Sequence, residues 1–466
     1  MPFLAPVLVL FAIAWRTSSP GPAMVEWIGT GWTWAFSLGL LLWPVIAGWP
    51  AHLILGREMD RRGSAGAATA SHRIQLVQGL LVAAGGGIAI VFVGLLDAIR
   101  EVVGDLVAVD EILTGMVCGA AWAFVLVQTH PIERRLWEAS KVALLDRGGT
   151  GGQMPGLVGW VWIRLRESVL VVAAPAALML VWWEVVPGVV ETLDRWAPGL
   201  GLVMDRGVGA ETAVVSERGM AVAYSGVALI AAIGPRLMSV VLPTVRLRDG
   251  SVLDEVRSVC RVGRVRTPAM YLWRPSRGWA NAAVMGAVPW GRSMLVSETL
   301  VSGMERAHLS AVVAHEVGHL RYRHVLWLAA SVVACLLGME ALLLLWGGMV
   351  GPATGGMMTL VVVASAFGAV SRRFELQADA FAAGVLGNGE TVARALERVA
   401  WLNGSRRERW SYTHGSIAAR ITRLRMMDAQ PNKTRIRVGW IAFRMVVVAV
   451  IGASSGVLLW AEPASG

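Results

Sequence analysis

The sequence predicts an all-α integral membrane bundle joined to a mostly helical polar domain that carries a small β element. Three observations carry that expectation. The 466 residues are 55% hydrophobic and only 16% charged, with a mean hydropathy of +0.58, far more apolar than a soluble chain requires. Apolar runs long enough to cross roughly 30 Å of hydrocarbon recur along the chain. Between the later runs lie two long polar regions, 243–325 and 371–436.

In chain order the runs fall at 34–56, 74–98, 112–129, 168–183, 220–242, 326–350, 352–370 and 437–461. A shorter run at 3–15 lacks a basic leader and a cleavage site, so it reads as a membrane segment rather than a signal peptide. The chain thus divides into a multi-span region (1–242), a first polar region (243–325), a transmembrane hairpin (326–370), a second polar region (371–436) and a final span (437–466). The Gly-rich stretch 144–156 reads as a flexible connection.

Loop charges orient the bundle. The loops 57–73 and 131–166 are rich in arginine and belong in the cytoplasm, whereas 100–111 and 184–219 are acid-rich and belong outside. Alternation then places the N-terminus inside and both polar regions on the cytoplasmic side, as a site assembled from both requires. The net charge of +10 comes almost wholly from arginine, since Lys141 and Lys433 are the only lysines. That bias resembles a GC-rich bacterial genome and, read as positive-inside loops, calls for no nucleic-acid partner. Cys118, Cys260 and Cys335 form no C-x-x-C pair, so neither a disulfide framework nor a thiolate zinc knuckle is expected. The tryptophans Trp43, Trp49, Trp182, Trp183, Trp440 and Trp460 near span ends read as an aromatic belt.

The chemistry concentrates in ERAHLSAVVAHEVGHLRYRH (305–324), whose apolar spacing is that of a partly buried helix. His315 and His319 are four apart, about 40° around a helix and one turn along. Both imidazoles can reach one tetrahedral zinc, with Glu316 beside them as general base for a water that the metal activates. A third protein ligand is needed. His324 lies five residues past His319, roughly 140° around a continuing helix, and reads as solvated or interfacial. In SRRFELQADAFAAGV (371–385), Glu375 and Asp379 share one helical face. Glu375 can complete a two-His, one-Glu site, and Asp379 can accept a hydrogen bond from a ligand histidine; an E-x-x-x-D pair is also common on solvated helices. ANAAVMG (280–286) and GRSMLVS (291–297) read as paired short strands. Of the charges within apolar runs, Asp97, Glu340 and Arg444, Glu340 reads either as lining a chamber or as pairing within the bundle.

Together these segments resemble the membrane-embedded zinc metalloproteases that include the type I CAAX prenyl endopeptidase and the bacterial heat-shock membrane protease. The resemblance covers roughly 233–427, from IGPRLMSVVLPTVRLRDGSVLDEVRSVC through SRGWANAAVMG, LVSETL, AVVAHEVGHLRYRH and FELQADAFA to YTHGSIAARITRL. It implies a zincin (gluzincin-like) catalytic domain split by the hairpin, binding one zinc ion per chain through His315, His319 and Glu375. Glu316 would be the base, with Asp379 behind the ligands. It further implies catalytic roles for His414, holding substrate or oxyanion, and for Arg420, and a substrate-holding role for Asn281 beside an edge strand that receives the peptide. Gly415 stands where the family usually has proline. The expected protein is a multi-pass metalloendopeptidase of a bacterial plasma membrane, its active site facing the cytoplasm, cleaving membrane-associated or misfolded polypeptides. A sensor-type signalling protease and a non-catalytic scaffold with an occluded site are the rivals; no outer loop is long enough for a sensor domain.

Overall fold

The computed structural model describes residues 4–18, 25–62, 67–145, 154–203, 216–276, 279–345 and 352–429. The chain divides into two compact units, Met1–Pro243 with Pro275–Arg277, and Thr244–Arg274 with Gly278–Gly466. The expected final span 437–461 lies outside the described residues, as does most of the 144–156 connection.

The first unit is helical: α1 (Leu4–Ser18), α2 (Val25–Arg62), α3 (Ala67–Ile88), α4 (Leu95–Val103), α5 (Val109–Leu145), α6 (Leu157–Leu165), α7 (Val171–Trp196) and α8 (Glu217–Val241). Among its described residues five stretches, Val25–Arg61, Ala70–Val93, Val109–Ala139, Leu157–Trp196 and Arg218–Val241, are long and apolar enough to cross a membrane. The expected span 74–98 is cut short. A π-turn over Ala89–Val93 ends at Gly94, whose φ of 91° closes the helix, and α4 starts afresh with Leu95, Leu96, Ala98 and Ile99 buried. The run at 3–15 becomes α1, which at 15 residues is about 22 Å long and short of the hydrocarbon thickness. Asp97 is paired with Arg16 of α1 at 2.8 Å, the arrangement a charge in an apolar bundle requires.

The second unit contains α9 (Ser251–Val262), α10 (Glu298–Gly303), α11 (Arg306–Arg321), α12 (His324–Leu345), α13 (Pro352–Leu386), α14 (Gly389–Leu402) and α15 (Ile417–Ala429). Its sheet comprises β1 (Thr244–Leu247), β2 (Ala269–Trp273), β3 (Ala282–Met285) and β4 (Ser293–Ser297) in the order β1-β2-β4-β3. The expected strand pair is β3 with β4, antiparallel, while β4 runs parallel to β2. Val256, Met270, Val296, Leu300, Val317 and Leu424 belong to one core that joins sheet and helices. α12 supplies a sixth candidate span, His324–Leu343. The expected span 352–370 and the polar helix after it form one 35-residue helix, α13, because neither proline nor glycine breaks it between Phe367-Gly368 and Leu386 strongly enough to free the backbone. Glu340 is exposed on α12 and lines a cavity with Leu336, Leu343 and Thr359.

Candidate metal centre and active site

The site begins with a close helix crossing. Gly318, between the two histidines, faces α13, and a Cβ there would stand 3.1 Å from Ala378 Cα and 3.2 Å from Phe381. That approach brings the His315/His319 row of α11 against the Glu375/Asp379 row of α13. His315 Nε2 and His319 Nε2 lie 3.1 Å apart. Glu375 Oε2 is 3.5 Å from the first ring and Oε1 is 3.6 Å from the second.

Behind these donors, His315 Nδ1 donates to Asp379 Oδ1 at 2.9 Å, which turns Nε2 toward the shared space. Arg420 of α15 is buried beneath the carboxylates. It donates to both oxygens of Asp379 at 2.9 and 2.7 Å and pairs with Glu375 Oε2 at 2.8 Å. Its guanidinium is therefore spent on holding two acids in place.

His414 approaches from a tight hairpin. Ser411 and Gly415 exchange backbone hydrogen bonds of 3.0 and 2.8 Å, and Arg372 of α13 donates to the Tyr412 carbonyl at 2.7 Å. Gly415 closes the hairpin with φ of +72°, which proline, fixed near −65°, cannot adopt. The ring stays 60% exposed, with Nδ1 2.9 Å from Glu375 Oε1. The Val284 amide of β3 faces the Glu316 carboxylate and opposes the rise of its pKa. Among the described residues β3 pairs with β4 alone, and this amide belongs to its other edge. Asn281 is exposed just before β3, its backbone tied to Ser297 by bonds of 2.9 and 2.8 Å.

Three residues outside the expected set complete the surroundings. His324, expected in a solvated or interfacial place, is instead 3% exposed and bonded to His319 Nδ1 and Gln377 Oε1, each at 2.9 Å. The expectation failed because it continued α11 through residue 324, whereas that helix ends at Arg321. Asn403, at the end of α14, pairs its side-chain amide with both backbone groups of Ala280, each at 2.9 Å. Gln377 and Asn403 carry no signal in a single sequence, for each acts through a partner more than 50 residues away.

Charge follows geometry. Burial works against a charged His315, but the Asp379 and Glu375 carboxylates more than reverse it and raise its pKa to about 10. Burial lowers His319, reinforced by His315 beside it, and keeps that ring neutral. For Glu375 and Asp379 burial is overcome by Arg420 and His315; Glu375 is held well below its usual range and Asp379 at about 2. Burial raises Glu316, with the neighbouring Glu375 adding to the effect and His315 opposing it.

The donor set fits a zinc ion. One nitrogen from each histidine and one carboxylate oxygen of Glu375 lie within 4.8 Å of one another, the N/N/O combination of catalytic zinc sites. Glu375 Oε2 is buried and accepts no hydrogen bond, meeting Arg420 only as an ion pair.

Residues 248–428 match the model of peptidase family M48. The chain is 30% identical over 215 residues to the protease HtpX homolog of Syntrophobacter fumaroxidans, covering 40% of this chain and 74% of that protein. With the protease HtpX homolog of Thermoplasma acidophilum it shares 30% identity over 139 residues, 28% of this chain and 43% of that protein. For the relative from Aeropyrum pernix the share covered is 51%, so the chain spans about half the length of these two. The crystal structure of S. mikatae Ste24p aligns with 84% of this chain and 97% of its own, at 16% identity and a TM-score of 0.43.

Proposed function

The chain belongs to peptidase family M48, and from that premise we propose that it is a zinc metalloendopeptidase of the membrane that hydrolyses peptide bonds in membrane-associated or misfolded polypeptides. The observation that carries this reading is the convergence of His315, His319 and Glu375 within 4.8 Å, beside Glu316 and the open edge of β3. The two polar regions act as one catalytic domain interrupted by the α12–α13 hairpin. The arginine-rich loops 57–73 and 131–166 support a cytoplasmic active site, and the six apolar helices among the described residues support a multi-pass membrane protein.

His315, His319 and Glu375 would hold the metal, with Asp379 and Arg420 fixing the ligands from behind. When bound, zinc supplies Lewis acidity, polarising the scissile carbonyl and making water nucleophilic near neutral pH. Glu316 takes the proton of the attacking water on its carboxylate and returns it to the departing amine; burial above the usual carboxyl range suits it to both transfers. The outward edge of β3 receives the substrate as an added strand, with Asn281 at its entry. His414, anchored through Nδ1, turns its exposed edge toward the developing oxyanion.

The test is cleavage of an unfolded reporter by detergent-purified protein, with zinc content measured in parallel. Wild type should cleave, and Glu316→Gln should lose at least about 100-fold in rate while keeping its zinc. Equal cleavage by the variant would sink the assignment of the base, and no cleavage by zinc-loaded wild type would favour an occluded scaffold.

A further inference from the structure

His324 and Gln377 form a hydrogen-bonded chain that ends on His319, and the direction of that chain is set at its far end. Gln377 Oε1 can only accept, so at 2.9 Å the hydrogen must sit on His324 Nε2. The neutral ring then presents Nδ1 as an acceptor, and the 2.9 Å contact with His319 Nδ1 must be donated by His319. With its hydrogen on Nδ1, a neutral His319 has a bare lone pair at Nε2. That atom faces His315 Nε2 at 3.1 Å, inside the space the three donors share.

The backbone and the packing make this arrangement specific. α11 ends at Arg321, and Arg323 takes the left-handed conformation, φ 55°, uncommon for a residue other than glycine. That turn starts α12 at His324 and folds the ring back onto α11. Phe374 stacks on it face to face, with centroids 4.2 Å apart and planes 5° apart. The ring plane is thereby fixed while both nitrogens stay engaged, and 3% exposure keeps water from replacing either partner.

We infer that His324, oriented by Gln377 and Phe374, is a positioning residue that fixes the tautomer and aim of His319 so that its Nε2 lone pair is available to the metal. This rests on the metalloprotease reading. Asp379 performs the corresponding service for His315 through a carboxylate, so each histidine is held by a different device. Were the His319 hydrogen on Nε2 instead, it would point into the metal position, and binding would have to reverse the whole chain.

The full-length protein in detergent, stripped of metal, tests this by zinc titration against a competing chromogenic chelator. His324→Phe retains the stack on Phe374 and removes both nitrogens; Gln377→Met retains the length and removes the acceptor. Both should bind zinc about 10- to 100-fold more weakly than wild type while remaining monodisperse and helical. Gln377→Glu, which keeps an accepting oxygen, should recover most of the affinity lost in Gln377→Met. Wild-type affinity in both His324→Phe and Gln377→Met, or equal loss in Gln377→Glu and Gln377→Met, would overturn the inference. If His324→Phe does not fold, the two Gln377 variants decide. A wild type that binds no zinc would overturn the metalloprotease reading and this inference with it, a result separable from weakened binding in the variants alone.

Discussion

At the scale of single residues, His315 is held strongly toward its charged form by the carboxylates around it. Its Nδ1 hydrogen is donated to Asp379, the charged ring carries a second hydrogen on Nε2 toward the space the metal would fill, and the two carboxylates raise its pKa to about 10. A ligand histidine must be neutral, so zinc uptake displaces that proton. Below pH 10 each unit of acidification makes the protonated ring tenfold more prevalent relative to the neutral one, and affinity should fall about tenfold per unit between pH 8 and 6. Asp379→Asn removes a carboxylate that stabilises the charged ring, so the same titration should show a shallower slope above neutral pH. An unchanged slope in that variant would show that Asp379 does not govern the His315 proton. Gly415 is the other instructive residue. This chain builds the His414 hairpin on a positive φ, a backbone conformation that proline at this position could not adopt.

At the scale of elements, two junctions make the site. The first is the α11–α13 crossing at Gly318, which brings together two helical rows that lie about 60 residues apart in sequence. The second is the anchoring of β3. An edge strand that receives substrate must keep its height above Glu316, and β3 is held from one side by β4 and at its entry by Asn403 on Ala280. Removing that clamp with Asn403→Ala should leave zinc content intact and raise KM by about five- to thirtyfold, the worth of two neutral hydrogen bonds, with a smaller change in kcat. Steady-state kinetics on a peptide reporter would check this. A loss confined to kcat would mean that Asn403 acts on the chemistry rather than on substrate placement.

At the scale of the whole molecule, the alternation of arginine-rich and acid-rich loops makes a topological prediction independent of the site. A fluorescent protein inserted near residue 150 should fluoresce as a cytoplasmic fusion, and a periplasmic phosphatase fused near residue 208 should be active. The reverse pattern would turn the catalytic region to the outside. Much of the protein was legible in its sequence, because the signals are local. Long apolar runs identify spans, since lipid satisfies no backbone group outside a helix. The spacing of His315, Glu316 and His319 points to one wall of the candidate metal site, since helical geometry alone puts i and i+4 on one face. The same periodicity puts Glu375 and Asp379 on one face of a second helix, a pair equally suited to a solvated helix, and only the histidine segment before the hairpin makes it a candidate. Other features were decided only by tertiary structure: the break at Gly94, the buried place of His324, the brace of Arg420 under both acids, and the Asn403 clamp. Each depends on where a backbone turns, or on a hydrogen bond between residues far apart in the chain, and helical periodicity carries neither. His324 shows the difference most directly. Its distance from His319 along the chain suggested a ring facing away, and one left-handed residue at Arg323 turned it inward.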